Sequence, residues 1–187
     1  MEQKRENLGA SSVKVSTHDI IKVGLMAAIV FVATSIIHVP SFMGVVHLGD
    51  SMVFVAALLL GKKKGAAASA IGMSLFDLLN GYTAWAPFTF VIKGVMAYIA
   101  GSIAYRRGYE GKNLLNNIFA FVSAGIFMIA AYYFSGVIMA KYIVSTSITI
   151  NEAFILAIKD IPGNIAQVVA GIVIAIPLSL SLNKVKR

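Results

Sequence analysis

The chain has 187 residues, 58% of them hydrophobic and only 13% charged, with no cysteine and a mean hydropathy of +0.83, which is too apolar for an ordinary soluble domain and marks a membrane protein. Six crossings of ~20 residues would consume about 120 residues, so no large soluble catalytic domain fits beside them. The lack of cysteine excludes disulfides, thiolate catalysis and Cys-ligated metal sites, and the net charge of +8 takes its meaning from where it lies.

Residues 1–17 are polar and mixed in charge; they are expected to form a cytoplasmic tail ahead of a membrane domain over 18–187, with Thr17-His18-Asp19 as the helix start. The first apolar segment covers 20–37 and is broken by His38 and Pro40. A second, over 50–60, stops at Gly61-Lys62-Lys63-Lys64-Gly65; it looks short or broken and could borrow length from the apolar stretch 42–46. The third runs over 66–79, where Asn80-Gly81-Tyr82 signals a turn, and Pro87 suits the first turn of a fourth ending near Tyr105, so these two form a tight hairpin. The uncharged run 118–140 is the fifth segment, and 161–182 the sixth. The expected fold is an all-α integral membrane protein with six transmembrane helices.

Orientation follows from the basic residues, which short loops retain on the cytoplasmic side. Lys4, Arg5, Lys14 and Lys22 precede or open the first segment, Lys62 to Lys64 separate the second and third, and Arg106, Arg107 and Lys112 separate the fourth and fifth; Lys184, Lys186 and Arg187 follow the sixth. Thirteen of the 16 basic residues therefore fall on one side if both termini are cytoplasmic. The positive charge reads as a topology signal, and nucleic acid is not an expected partner.

The loops at 39–50, 80–86 and 141–159 then face outward, and most unusual polar residues gather there or in the adjoining helix halves: His47, Asp50, Asp77, Tyr82, Trp85, Thr89, Lys93, Asn151, Glu152, Lys159, Asp160, Asn164 and Gln167. A charge in mid-membrane costs roughly 2.5 to 3.5 kcal/mol, so Lys93 and Asp77 should face protein or water, and they are expected to pair. Thr89 and Lys93 share a helix face, and Asp160, Asn164 and Gln167 form a stripe at i, i+4 and i+7. Two inward polar stripes imply a wet binding cavity; the plainer alternatives are a structural ion pair and interhelical hydrogen bonds. Tyr82 and Trp85 either close over a flat ring or sit in an aromatic belt. On the first segment, Gly24, Ala27 and Ala28 allow close approach of another helix.

No pair of His residues has metal-binding spacing, so no metal or cofactor is expected. The lysine cluster at 62–64 lacks the G-x-x-x-x-G-K-[ST] phosphate loop, and no hydrolase motif is present, so the chain reads as a binding or translocating protein, not an enzyme.

The segments His47-Leu48-Gly49-Asp50 and 81–94 (GYTAWAPFTFVIKG), together with the six spans, the basic pattern and the outer polar pocket, resemble the substrate-binding S components of energy-coupling factor (ECF) vitamin transporters. The likeness covers all but the N-terminal tail and lies toward the hydroxymethylpyrimidine, pyridoxine and riboflavin branch. It implies a six-helix subunit of a prokaryotic cell membrane that joins a transmembrane coupling subunit and two ATP-hydrolysing subunits and topples to deliver its vitamin. The family's helix 1 small-residue motif falls on Gly24 to Ala28, with glycine for the first alanine, and Gly24, Ala27 and Ala28 would dock the coupling subunit. Its pocket would place Trp85, Thr89, Lys93, Asp160, Asn164 and Gln167 near substrate, and His47, Asp77 and Tyr82 from the same polar cluster complete the candidate binding set. One tryptophan disfavours thiamine, and a hydroxymethylpyrimidine or pyridoxine-like ring is the first expectation. The alternatives are riboflavin, or a stand-alone proton-coupled carrier titrating Asp77 or Asp160.

Overall fold

The computed structural model describes residues 16–144 and 147–185, with side chains to 181. Nearly all of the expected N-terminal tail, with Lys4, Arg5 and Lys14, lies outside the described residues, as do Lys186, Arg187 and the side chain of Lys184. The order is α1 (Thr17–Ile36), strands β1 (His38–Pro40) and β2 (Val45–His47), α2 (Gly49–Leu79), α3 (Ala86–Ala104), a 3₁₀ turn (Arg106–Gly108), α4 (Leu114–Met139) with a π-helical extension (Ala140–Val144), α5 (Ile150–Ile158) and α6 (Ile161–Val185). Among the described residues four stretches are long and apolar enough to cross a membrane: Thr17–Ile36, Ala86–Ala104, Leu114–Val144 and Ile150–Ser181.

α2 is not straight. Gly61 has φ 74°, which glycine adopts without the Cβ clash that other residues suffer there, and it divides the helix into arms 49–60 and 62–79. The arms fold back on each other: a Cβ on Gly65 would stand 2.8 Å from the Ala56 carbonyl oxygen, which only a hairpin allows. The break therefore falls at the first glycine of the Gly-Lys-Lys-Lys-Gly segment, and the lysines continue the second arm. That arm packs on α1 through Gly72, where an added Cβ would meet the Ala27 carbonyl oxygen at 2.5 Å. Asn80 to Trp85 then turn the chain, with Trp85 N–H on the Tyr82 carbonyl at 2.8 Å, and Pro87 lies in the first turn of α3.

Two loops read from the sequence as irregular are structured. Residues 38–47 form an antiparallel hairpin with His38 opposite His47 and Pro40 opposite Val45, closed by a Ser41–Gly44 turn. The stretch 42–46 therefore does not lengthen α2; it is turn and strand. Residues 150–158 form α5, whose start is fixed by a capping box in which Glu152 accepts from Thr149 N–H at 2.6 Å and Thr149 Oγ1 accepts from Glu152 N–H at 3.3 Å.

The core is a layer of small and medium apolar side chains, including Val30, Phe54, Phe76, Met96, Phe121 and Met128, with Phe54 stacked on Phe121 at 4.4 Å. One end of it is held by charge. Lys93 Nζ donates to Asp50 Oδ1 at 2.5 Å, and both side chains are fully buried. Asp50 Oδ2 accepts from Gln167 Nε2 at 3.0 Å, and Gln167 Oε1 accepts from the His47 backbone N–H at 3.1 Å. The ammonium also lies 5.2 Å from the Tyr132 ring centroid. This network joins α2, α3, α4, α6 and β2. It corrects the expected Asp77–Lys93 pair: Asp50, at the outer end of the other α2 arm, holds the lysine, because α6 brings Gly171 and Gln167 against Asp50 and closes that corner.

Breaking a buried pair from one side strands the other charge, at a cost of about 3 to 5 kcal/mol. Lys93→Met should therefore lower the thermal midpoint of the purified protein sharply, while the double change Asp50→Asn with Lys93→Met should recover most of the loss. Thermal unfolding in detergent checks this; a Lys93→Met protein as stable as the wild type would contradict the pairing.

Candidate functional site

Above the buried network lies a narrow cleft, partly open to solvent, formed where the β1–β2 hairpin crosses one end of α2, α3, α4 and α6. Seven of the nine expected binding residues line it: His47, Asp77, Trp85, Thr89, Asp160, Asn164 and Gln167. Ser41, Gly44, Tyr132 and Gly136 are further lining residues that sequence reasoning did not select. The two remaining candidates stand outside the lining. Lys93 lies beneath it, engaged by Asp50. Tyr82 is half-buried and stacked on Phe76, with centroids 6.1 Å apart and planes 17° from parallel.

The hairpin forms a roof, and the helices hold it down at three points. Asp160 accepts the backbone N–H of Phe42 at 2.9 Å and of Met43 at 3.2 Å. Trp85, nearly buried, donates its indole N–H to the Met43 carbonyl at 2.7 Å. Gln167 takes the His47 N–H on the far strand. Lys159 adds a cation 4.3 Å from the Phe42 ring centroid. The α6 stripe is thus divided by position: Asp160 and Gln167 grip the roof, and half-buried Asn164 stands between them on the cleft wall.

Hydroxyls order the opposite wall. Tyr132 O–H donates to Thr89 Oγ1 at 3.1 Å, and the Thr89 hydroxyl engages the Asp77 carboxylate. Asp77 is only 3% exposed, yet its Oδ2 has no partner among the described residues; the same holds for Nδ1 of buried His47. Burial, helped by the nearby Lys93 ammonium, pushes His47 down to about 3, so its imidazole is neutral near pH 7 and can accept as well as donate hydrogen bonds. Buried polar atoms are almost always satisfied. Two such atoms, one on the roof strand and one on α2, lie among the cleft-lining residues, and aromatic faces from Trp85 and Tyr132, 6.0 Å apart, line the same cleft. Among the described residues no cluster of metal-ligating side chains is present.

The small residues of α1 divide between two faces. Ala27 is buried against the second arm of α2, whereas Gly24 and Ala28 are exposed, with nothing within 4 Å of a Cβ placed on Gly24. Ala28 borders a shallow apolar groove with Ile29, Val32, Ala33 and Ile36. Of the three residues expected to dock a partner, Gly24 and Ala28 are therefore exposed while Ala27 points inward, since a helix turns about 100° per residue.

Tyr132 carried no sequence signal beyond being polar in an apolar run. Asp50 was visible as one carboxylate among several near the outer face.

A relative from Pyrococcus woesei, described as an uncharacterized protein in the gap 3' region, is 29% identical over 153 residues, which cover 79% of this chain and 88% of that protein. A family model described as the S component of the ECF-type riboflavin transporter matches residues 14–184. With an apolar helical bundle, a polar cleft at one end of it and a match across almost its whole length, the chain belongs to the family of ECF-type riboflavin transporter S components.

Proposed function

We propose that this protein captures a planar heteroaromatic vitamin at the outer surface of a prokaryotic cytoplasmic membrane and carries no enzymatic activity of its own. Family membership makes it a substrate-binding subunit that associates with coupling and ATPase subunits. The observation that carries the binding reading is the cleft itself: apolar helices enclose it, a hydrogen-bonded roof covers it, and two buried polar atoms in its wall lack partners. Riboflavin is the first candidate, because the matching family bears that name. The hydroxymethylpyrimidine or pyridoxine-like ring favoured by the sequence is second; being smaller, it would demand less displacement of the roof that Trp85 and Asp160 hold at Met43.

The membrane topology behind this reading has six crossings, with the two arms of α2 added to the four long apolar helices and both termini cytoplasmic. The first arm, 49–60, is about 18 Å long at 1.5 Å per residue, short of the ~30 Å hydrocarbon core. The β1–β2 hairpin fills the outer remainder, which puts the cleft near the outer boundary. Entry then requires the roof to lift, breaking the Asp160 and Trp85 bonds, and a guest replaces the missing partners beneath it.

Binding alone cannot accumulate a solute against a gradient, so the free energy comes from ATP hydrolysed by partner subunits docked on the exposed face of α1. A proton-coupled carrier using Asp160 is disfavoured, because that carboxylate is committed to the roof backbone.

Two experiments test the reading. Solvent extraction and mass spectrometry of the purified subunit should release a riboflavin, pyridoxine or hydroxymethylpyrimidine-type molecule near one per chain; enzymatic conversion of the ligand, or proton-driven uptake into vesicles holding this chain alone, would contradict it. Gly24→Trp or Ala28→Trp should abolish ATP-driven uptake by the full transporter while ligand binding by the isolated subunit survives. Loss of both together would sink the assignment of α1 as the coupling face.

A further inference from the structure

The charged groups around the cleft have unequal freedom. Lys93 is the cation nearest the wall, but it is fully buried, bonded to Asp50 and covered by the Tyr132 ring. Asp160 spends both oxygens on the backbone N–H groups of the roof. Lys159 is exposed and lies over Phe42 on the roof. No lysine or arginine is among the described residues that line the cleft. Among the described residues that line the cleft, Asp77 alone presents a charged atom without a partner: its carboxylate is engaged by Thr89, and Oδ2 is buried and unsatisfied.

An ionised carboxylate oxygen only accepts hydrogen bonds. It is completed by an N–H or O–H of a guest, and it repels an anion that water cannot screen at this depth. A phosphate ester would find like charge on Asp77 and, among the described residues that line the cleft, no lysine or arginine of the kind that usually binds it. Resting on the binding reading above, we propose that Asp77 is the specificity-determining residue of the cleft: it requires a hydrogen-bond donor on an uncharged or cationic heteroaromatic ligand and rejects the phosphorylated form of the same vitamin. A site built to bond one group discriminates strongly against a ligand that leaves its buried atom unpaired, which is the larger of the available selectivity effects.

The test uses the full-length protein in detergent and three pairs of probes: riboflavin with riboflavin 5'-phosphate, pyridoxine with pyridoxine 5'-phosphate, and hydroxymethylpyrimidine with its phosphate. For whichever vitamin binds, the free form should bind at least about a hundredfold more tightly than its ester, the size expected for an uncompensated like-charge contact. Asp77→Asn, which keeps the shape and removes the charge, should weaken the free vitamin about tenfold or more and reduce the discrimination to less than about tenfold. Equal wild-type affinity for vitamin and ester overturns the proposal while leaving the binding reading intact, and so does an Asp77→Asn protein with unchanged affinities for both. Failure of every free vitamin to bind a folded wild-type protein sinks the binding reading and this proposal with it. Should Asp77→Asn not fold, the wild-type ratio between vitamin and ester decides.

Discussion

An ammonium and a carboxylate buried together at one end of an apolar bundle set the terms for the rest of this molecule. Neither Lys93 nor Asp50 reaches solvent; each has the other 2.5 Å away, and further groups complete the bonding. Gln167 is the piece that makes the pair a framework: its amide nitrogen satisfies the second oxygen of Asp50, and its amide oxygen holds the roof strand at His47. Three helices and the hairpin are thereby registered against one another at a point where the core is otherwise made of side chains without directional bonds.

With that corner fixed, the cleft follows. The roof hairpin cannot drift, because Asp160 and Trp85 hold Met43 and its neighbour from two different helices. Polar groups that look alike in composition have separated into two kinds. Asp50, Lys93, Gln167 and Asp160 are consumed by structure, whereas Asp77 and His47 keep one atom each free on the cleft wall. The first kind gives rigidity, and the second is what the proposed function would use to hold a guest. Apolar residues such as Leu25, Val32 and Ile36 on the outer side of α1 remain exposed, as a lipid-facing or partner-facing helix requires.

The sequence carried the apolar segments, the break near Gly61, the turn at 80–85 and the concentration of polar residues near one boundary, because each of these is a local pattern of hydropathy, glycine or proline. It did not carry the partner of Lys93. Asp50 and Asp77 both lie at the outer ends of the two arms of α2, and only the seating of α6 on Asp50, through Gly171, decides between them. The hairpin at 38–47 escaped because its strands are three residues long and its apolar stretch at 42–46 reads equally well as a helix extension. Ala27 illustrates a third limit: a small-residue motif is visible in sequence, but which of its members faces inward depends on rotation of α1 against Gly72. Tyr132, a lone hydroxyl in α4, became legible only when Thr89 and Lys93 were brought against it.

Trp85 is the only tryptophan in the chain and stands on the cleft wall with its indole N–H tied to the roof, so its fluorescence reports directly on whether a guest enters beneath the hairpin. Titrating ligand-free protein with riboflavin, pyridoxine and hydroxymethylpyrimidine, with free tryptophan as the optical reference, should give a saturable change in Trp85 emission that ends at one ligand per chain for one of them. An emission that follows the free-tryptophan reference for all three would contradict the claim that this cleft is the vitamin site.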